Sequence, residues 1–297
     1  MIGIRMARNG FSLIELMVVI VILALLISLF MVASGSITNS ALSTEDISKL
    51  RSLTMANAGY AVDHKQRLLS PRTEPNGNES TDDQINRFWV KSFDDNVDQL
   101  GSGRIELSTA LSEGAAWDYI GDEAAYKSPL DTTDRIRSYS LNAFIGVDRC
   151  ADEYPDMAGV FLPAFNTRYR VPCRSLSDIP APSGTICAIG EVDQGFAGFS
   201  ETANANGWCV SANPNMPIWK DTPALWNRNR VNISMMDGST ETIVLQRDDK
   251  LRDKINQSGS SHNITIGFSD QDKVDFQQFN KRLLPGVLEY RTASDQE

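Results

Sequence analysis

The apolar residues of the chain are gathered at one end. From Phe11 to Ala33 the run FSLIELMVVIVILALLISLFMVA is interrupted only by Ser12, Glu15 and Ser28. It predicts a helix of about 34 Å, enough to cross a hydrocarbon core of roughly 30 Å. The residues before it, Met1–Gly10, carry Arg5 and Arg8 and no acid. The positive-inside bias therefore places them in the cytoplasm and everything beyond Ala33 on the far side of the membrane. After Ala33 the pattern changes, and no proline appears before Pro71. Leu42, Ile47, Leu50, Leu53, Ala58 and Ala61 recur at roughly helical spacing, with Glu45, Asp46, Lys49, Arg51 and Lys65 between them. That predicts an amphipathic continuation of the same helix over residues 34–69. Gly35 and its Ser, Thr and Asn neighbours weaken the helix locally, as a hinge or a membrane exit would. The segment SPRTEPNGNESTDD, residues 70–83, ends it as a loop.

Beyond the loop the periods shorten. Thr81 and its acids look like a helix start, and Ile85, Phe88, Trp89, Phe93, Val97 and Leu100 follow at helical spacing, predicting a second amphipathic helix whose aromatic stripe is core. The runs RSYSLNAFIGV, AGVFLP and GTICAIGEV predict strands. In VNISMMDGSTETIVL two β-rich runs flank Asp237 and Gly238, which predicts a hairpin over residues 231–246. A cap at Ser269 or Asp270, apolar Phe276, Phe279 and Leu283, and a Pro285–Gly286 stop predict a short C-terminal helix. Residues 70–297 thus read as one globular α+β head with an antiparallel sheet, carried on a long helix.

Composition removes several functions. With 38 acidic against 28 basic side chains in 297 residues and a formal net charge of −10, the chain lacks the basic surface that nucleic acid requires. Only two histidines, His64 and His262, are present, so a three-histidine zinc site is excluded. Neither a Gly-x-Ser-x-Gly elbow nor a phosphate loop occurs. No catalytic residue and no cofactor is assigned, and an enzyme is not expected. The four cysteines, Cys150, Cys173, Cys187 and Cys209, all follow the apolar run, where an oxidising compartment favours disulfides. Three connectivities are open; local closure favours Cys150 with Cys173 and Cys187 with Cys209, each worth on the order of 3 kcal/mol.

Three readings of the N-terminus compete. A cleaved secretory signal would have a shorter apolar core, although Val32, Ala33, Ser34 and Gly35 offer small residues for cleavage. A plain anchor fits the length but has no use for Glu15, a carboxylate that is costly in lipid unless it is paired or reaches the headgroups. The third is specific: Gly10, Phe11, Ser12, Leu13, Ile14, Glu15 and Leu16 closely resemble the class III signal of type IV pilins and type II secretion pseudopilins. The resemblance implies cleavage between Gly10 and Phe11 by a prepilin peptidase, N-methylation of Phe11 and retention of the apolar helix. Residues 1–10 would be the leader and residues 11–33 the transmembrane helix. Glu15 would then neutralise the new α-amine of a neighbouring subunit and set assembly register, as single buried polar groups do elsewhere.

A second resemblance covers the head. Tyr126, Ser128, Pro129 and Asp131, then Ser138, Tyr139 and Asn142, then the apolar strand from Pro182 to Glu191, then Asp221, Thr222, Pro223 and Ala224 occur in the order of a prepilin-like group with a G-type pseudopilin fold and a late His-x9-Asp-Gly signature. Asn227 stands where that signature has histidine, followed by Asp237 and Gly238; Ser128 stands where it has cysteine. G-type pseudopilins as a family bind calcium in a loop, and Asp131 with Asp134, Glu191 with Asp193, and Asp248 with Asp249 are the oxygen-rich candidates here. The two resemblances imply a pilin-like fold and a structural subunit of a secretion pseudopilus or type IV pilus-like filament. They imply a subunit held in the inner membrane with a periplasmic head before assembly. Its partners would be prepilin peptidase, other pilin-like subunits, membrane lipid, an inner-membrane platform and its ATPase. A minor or tip pilin with a binding role, and a membrane-tethered periplasmic binding or hydrolytic domain, are the alternatives.

Overall fold

The computed structural model describes residues 12–75, 82–100, 103–147, 167–169, 173–191, 207–211, 217–283 and 288–290. The predicted long helix is one continuous element, α1, Leu13–Asp63. The chain divides into two units, Met1–Leu42 and Ser43–Glu297, with the boundary inside α1. In the first, the apolar side chains from Leu13 to Ile27 are exposed on every side, 77 % at Leu13 and 50 % at Ile22. A helix apolar on every side belongs in buried surroundings, a protein core or a membrane. Among the described residues no helix is long and apolar enough to cross a membrane, the described side chains of the apolar half ending at Ser28.

In the second unit α1 is amphipathic, as its pattern predicts. Asp46, Leu50, Leu53, Asn57 and Tyr60 form one buried stripe. Its end falls at Asp63, short of residue 69, because Lys65 and Gln66 adopt left-handed backbone at φ 55° and 71° and turn the chain back. The reversal lets Leu68 N–H donate to the Arg174 carbonyl, and Leu69 N–H to Asn57 Oδ1 at 2.9 Å.

After α1 the chain builds α2 (Asp82–Ile85), β1 (Val97–Leu100), β2 (Gly103–Glu106), α3 (Ser108–Ser112), α4 (Trp117–Ile120), β3 (Tyr139–Leu141), β4 (Thr167–Tyr169) and β5 (Ile186–Gly190). Then follow β6 (Ile218–Asp221), β7 (Arg230–Met235), β8 (Thr240–Val244), α5 (Asp248–Ser258), β9 (His262–Thr265), α6 (Asp270–Asn280) and β10 (Leu288–Tyr290). The main sheet is antiparallel with order β3-β5-β7-β8; β1-β2, β6-β9 and β4-β10 form separate antiparallel pairs. The architecture is α+β. The buried face of α1 meets this sheet: Thr54 Oγ1 donates to Ser234 Oγ at 2.9 Å, and Asn57 Nδ2 approaches Cys187 Sγ at 3.8 Å.

The hairpin and the C-terminal helix stand where the sequence puts them. At the hairpin, Gly238 takes φ 85° and donates to the Met235 carbonyl, while Asp237 Oδ1 accepts from Ser239. Those bonds hold the Asp237 carboxyl below the usual carboxylate range. Ser269 caps α6 by accepting from Asp272 N–H, and Phe276 and Phe279 pack their edges on Trp219. The helix expected after Thr81 does not form. Only Asp82–Ile85 is α-helical, with a single 3-10 turn at Asp94–Asn96; Phe88, Trp89 and Val90 run irregularly into the core, bonded to Ser70 and Ala115, and Val97–Leu100 is a strand. The expected strand in AGVFLP lies outside the described residues.

Gly146 shows how tightly the core connections pass. It has φ 74°, and a Cβ there would run into the Leu69 carbonyl oxygen. Gly146→Ala is expected to cost about 2–3 kcal/mol, from positive φ plus overpacking, read as a lower midpoint in denaturant unfolding.

Candidate functional site

Gly10 and Phe11 lie outside the described residues, so the geometry of the first motif begins at Ser12. Ser12 precedes α1 and supplies its cap: its Oγ accepts from Ile14 N–H at 3.3 Å. Glu15 reaches back, and its Oε2 accepts the Ser12 N–H at 2.9 Å. This reciprocal arrangement satisfies helix-start donors that have no partner within the helix. It also places a carboxylate at the positive end of a very long helix, where negative charge is stabilised. Chemically, the site is a carboxyl group folded back on the first turn of α1, four residues after Phe11 in the sequence and flanked by apolar residues.

Two signature residues of the head, Ser128 and Tyr139, meet at Asp46. Its carboxylate, on the buried stripe of α1, accepts from Ser128 Oγ at 2.5 Å, Tyr139 Oη at 2.7 Å and Asn232 Nδ2 at 2.9 Å. Burial, and then the Asp46 charge, push the Tyr139 phenol far above its ordinary pKa, so it remains a donor. Asn227 Nδ2 reaches Ser43 Oγ at 3.3 Å, one turn before Asp46, and Asn232 donates to the same hydroxyl at 3.1 Å. The neighbouring Asp131 is raised by burial but lowered more by Arg135 and by bonds from Ser138 and Thr133, so its carboxyl lies below the ordinary range. Asn142 donates to the Ile186 and Leu283 carbonyls at 2.9 and 2.7 Å, and Ala224 N–H donates to Gly190. A buried polar seam thus joins α1 to Ser128, to β3 through Tyr139 and to β7 through Asn232, while the Pro182–Glu191 and Asp221–Ala224 segments meet each other rather than Asp46.

Asn227 and Asp237 are not brought together; they sit at opposite ends of β7, with Asp237 and Gly238 serving the hairpin turn. The Gly238 carbonyl also accepts from Arg51 Nε at 3.2 Å, tying that turn to α1. Sequence reading missed Asp46, which it placed among the polar residues between the apolar positions. The available signal was its spacing, four before Leu50 and seven before Leu53, on the buried register.

A second buried group was also missed. Asp221 lies between His262 Nδ1, at 3.0 Å, and Cys209, whose N–H and Sγ approach the other carboxylate oxygen at 2.9 and 3.3 Å. The thiol faces a carboxylate rather than an imidazole, and burial pushes it well above its normal pKa, so the arrangement does not make a thiolate. It fixes the β6-β9 pair. His64 stacks on Tyr60 with ring centroids 3.8 Å apart.

The cysteine pairing is corrected. Cys173, Cys187 and Cys209 are buried free thiols, Cys187 against Asn57 and Cys209 against Asp221, so the expected Cys187–Cys209 bridge is not formed. Cys150, the expected partner of Cys173, lies outside the described residues, and Cys173 Sγ points to the Asp178 carbonyl. Among the described residues no three His, Cys, Asp or Glu side chains are grouped to hold a metal. Of the calcium candidates, Asp131 is engaged by Arg135, Ser138 and Thr133, Asp248 and Asp249 open α5, and Asp193 lies outside the described residues.

Compared with known proteins, residues 5–31 match the prokaryotic N-terminal methylation motif, the signal found on type IV pilin-like prepilins. No curated protein and no solved structure matches the chain.

Proposed function

We propose that this chain is a structural subunit of a type II secretion pseudopilus or type IV pilus-like filament, made as a membrane-held precursor and converted by processing at its N-terminus. The observation that carries this reading is the methylation motif over residues 5–31, with Glu15 folded back on the helix start. Prepilin peptidase cleaves between Gly10 and Phe11, and the new Phe11 amine is methylated. Residues 11–33 span the inner membrane before assembly, with the N-terminus cytoplasmic and the head periplasmic. The exposed apolar surface from Leu13 to Ile27 supports this, because such a surface is stable in lipid or against like helices and not in water. In the filament, those helices cover one another. Other pilin-like subunits, an inner-membrane platform and its ATPase complete the assembly machinery. The role is assembly rather than turnover.

Glu15 has two partners in sequence on this account. In the single subunit it holds the Ser12 N–H. On incorporation it faces the positively charged Phe11 amine of a neighbour, an ion pair whose geometry admits one register. The seam around Asp46 serves a different end, holding the head rigidly to the second half of α1 so that subunit order in the core becomes head order outside.

Cleavage is tested by Gly10→Val expressed in cells with an active prepilin peptidase. The expected product is a membrane-inserted precursor that still carries Met1 and is absent from sheared filaments. Efficient cleavage of this variant would remove the prepilin reading.

A further inference from the structure

The two edges of the main sheet differ. At β3 the outward backbone is covered: Trp208 N–H donates to the Leu141 carbonyl at 2.8 Å, and Ala143 N–H to the Trp208 carbonyl at 3.0 Å. At β8 the backbone is open. Met235 N–H donates to the Ser239 carbonyl and Leu245 N–H to that of Asn229, and between them Ile233 stands opposite Glu241 and Val231 opposite Ile243. Alternate pairs of an antiparallel ladder exchange hydrogen bonds, so the N–H and C=O groups of Thr240, Thr242 and Val244 point away from β7. Among the described residues no backbone group bonds to them there. Native sheets blunt such an edge with proline, lysine or a bulge. β8 has none of these: it runs against β7 without a shift in register, and its outward-bonding residues are all β-branched, with Val244 49 % exposed. The surface beside the edge is cationic. Arg230 is exposed opposite Val244, on the face that α1 covers, since Asn232 and Ser234 of that face bond to α1. At the hairpin end Arg51 of α1 is exposed, with its Nε on the Gly238 carbonyl. The neighbouring carboxylates are engaged, Glu241 by Arg282 at 2.6 Å on the opposite face and Asp237 by Ser239. Glu45 of α1 pairs with Lys49, whose Nζ reaches the Lys127 carbonyl on the β3 side.

We propose that β8 takes up an extended acidic segment of a partner polypeptide as a fifth strand of the main sheet, with carboxylates on the α1 face meeting Arg230 and Arg51. Backbone donors and acceptors repeating in one line about every 7 Å are matched by another extended backbone, which is what points to a polypeptide. The two guanidiniums set the sign of its side chains. Thr240 to Val244 covers about 13 Å, so the acids fall about four residues apart, on one face of the added strand. A second copy of β8 is the poorer occupant, because each copy brings the same cations to the shared edge. The proposal stands apart from filament assembly, and its failure leaves the prepilin reading untouched.

The test is amide hydrogen exchange followed by NMR on the full-length chain in detergent micelles, with the peptide acetyl-TEVTVET-amide as probe and acetyl-TKVTVKT-amide as its control. The acidic peptide is expected to slow exchange at Thr240, Thr242 and Val244, and the lysine peptide to bind about tenfold more weakly. Thr242→Pro removes the central outward N–H, which makes no bond within the sheet, so the thermal midpoint should stay within a few degrees of wild type while binding falls about tenfold. Arg230→Glu should weaken the acidic peptide about fivefold and strengthen the lysine peptide. That reversal is not what a general loss of folding would give, and it decides the matter even where the proline variant unfolds. Unchanged exchange at the three amides, equal binding of the two peptides, or wild-type binding by a folded Thr242→Pro would overturn the proposal. So would protection of the same amides without peptide in a self-associated chain, which would make the occupant a second copy.

Discussion

Glu15→Lys is expected to leave the chain inserted in the membrane and processed, yet reduce its incorporation into filaments about a hundredfold or more. Placing a second cation beside a buried amine leaves an uncompensated charge, which costs about 3–5 kcal/mol in apolar surroundings. The local geometry acts in the same direction. Glu15 Oε2 accepts the Ser12 N–H, and a lysine in its place supplies only donors where the helix start needs an acceptor. A positive charge there also opposes the helix dipole. Glu15→Gln keeps an acceptor without the charge and should fall between the two. The comparison is read by immunoblot of sheared filaments against membranes from the same cells. Wild-type incorporation of Glu15→Lys would sink the register role.

Asp46→Ala carries the largest expected effect on stability. It removes the acceptor shared by Ser128, Tyr139 and Asn232 at the centre of the seam and leaves buried donors without partners. Each stranded donor costs about 1–3 kcal/mol, and since the losses overlap the total is about 3–5 kcal/mol. For a head of this size that lowers the thermal midpoint by about 10 °C. Asp46→Asn retains one acceptor oxygen and should lose about half as much. Thermal unfolding of the full-length chain, followed by near-ultraviolet circular dichroism, reads both variants. A midpoint within about 2 °C of wild type for Asp46→Ala would show that the seam is not what joins α1 to the sheet.

The N-terminal helix was legible because the apolar run Leu16–Ile27, unbroken by proline or glycine and too long for an ordinary strand, leaves a helix as its element. The hairpin was legible because Asp237 and Gly238 carry their own turn chemistry, and the C-terminal helix because Ser269 marks its start. Elsewhere distant partners overrode local pattern. Ile85, Phe88 and Trp89 are spaced for a helix, yet their backbone is bonded to Ser70 and Ala115, far away in sequence. The helix Asp248–Ser258 went unread because only Leu251 of it is buried, too little for a visible period. At the candidate site, the motif positions could be picked out singly, but their convergence could not. Asp46 lies 82 residues from Ser128 and 186 from Asn232, and only the folded sheet brings them together. The cysteines failed for the same reason: closeness in sequence put Cys187 with Cys209, while the fold turns one to α1 and the other to Asp221.

Whether this chain is a processed prepilin is decided by the intact mass and N-terminal sequence of the protein recovered from membranes of its native cells. The expected chain begins at Phe11 and carries one added methyl group on its α-amine. A chain that still begins at Met1 in cells with active prepilin peptidase, or one cut near Ala33, would contradict it.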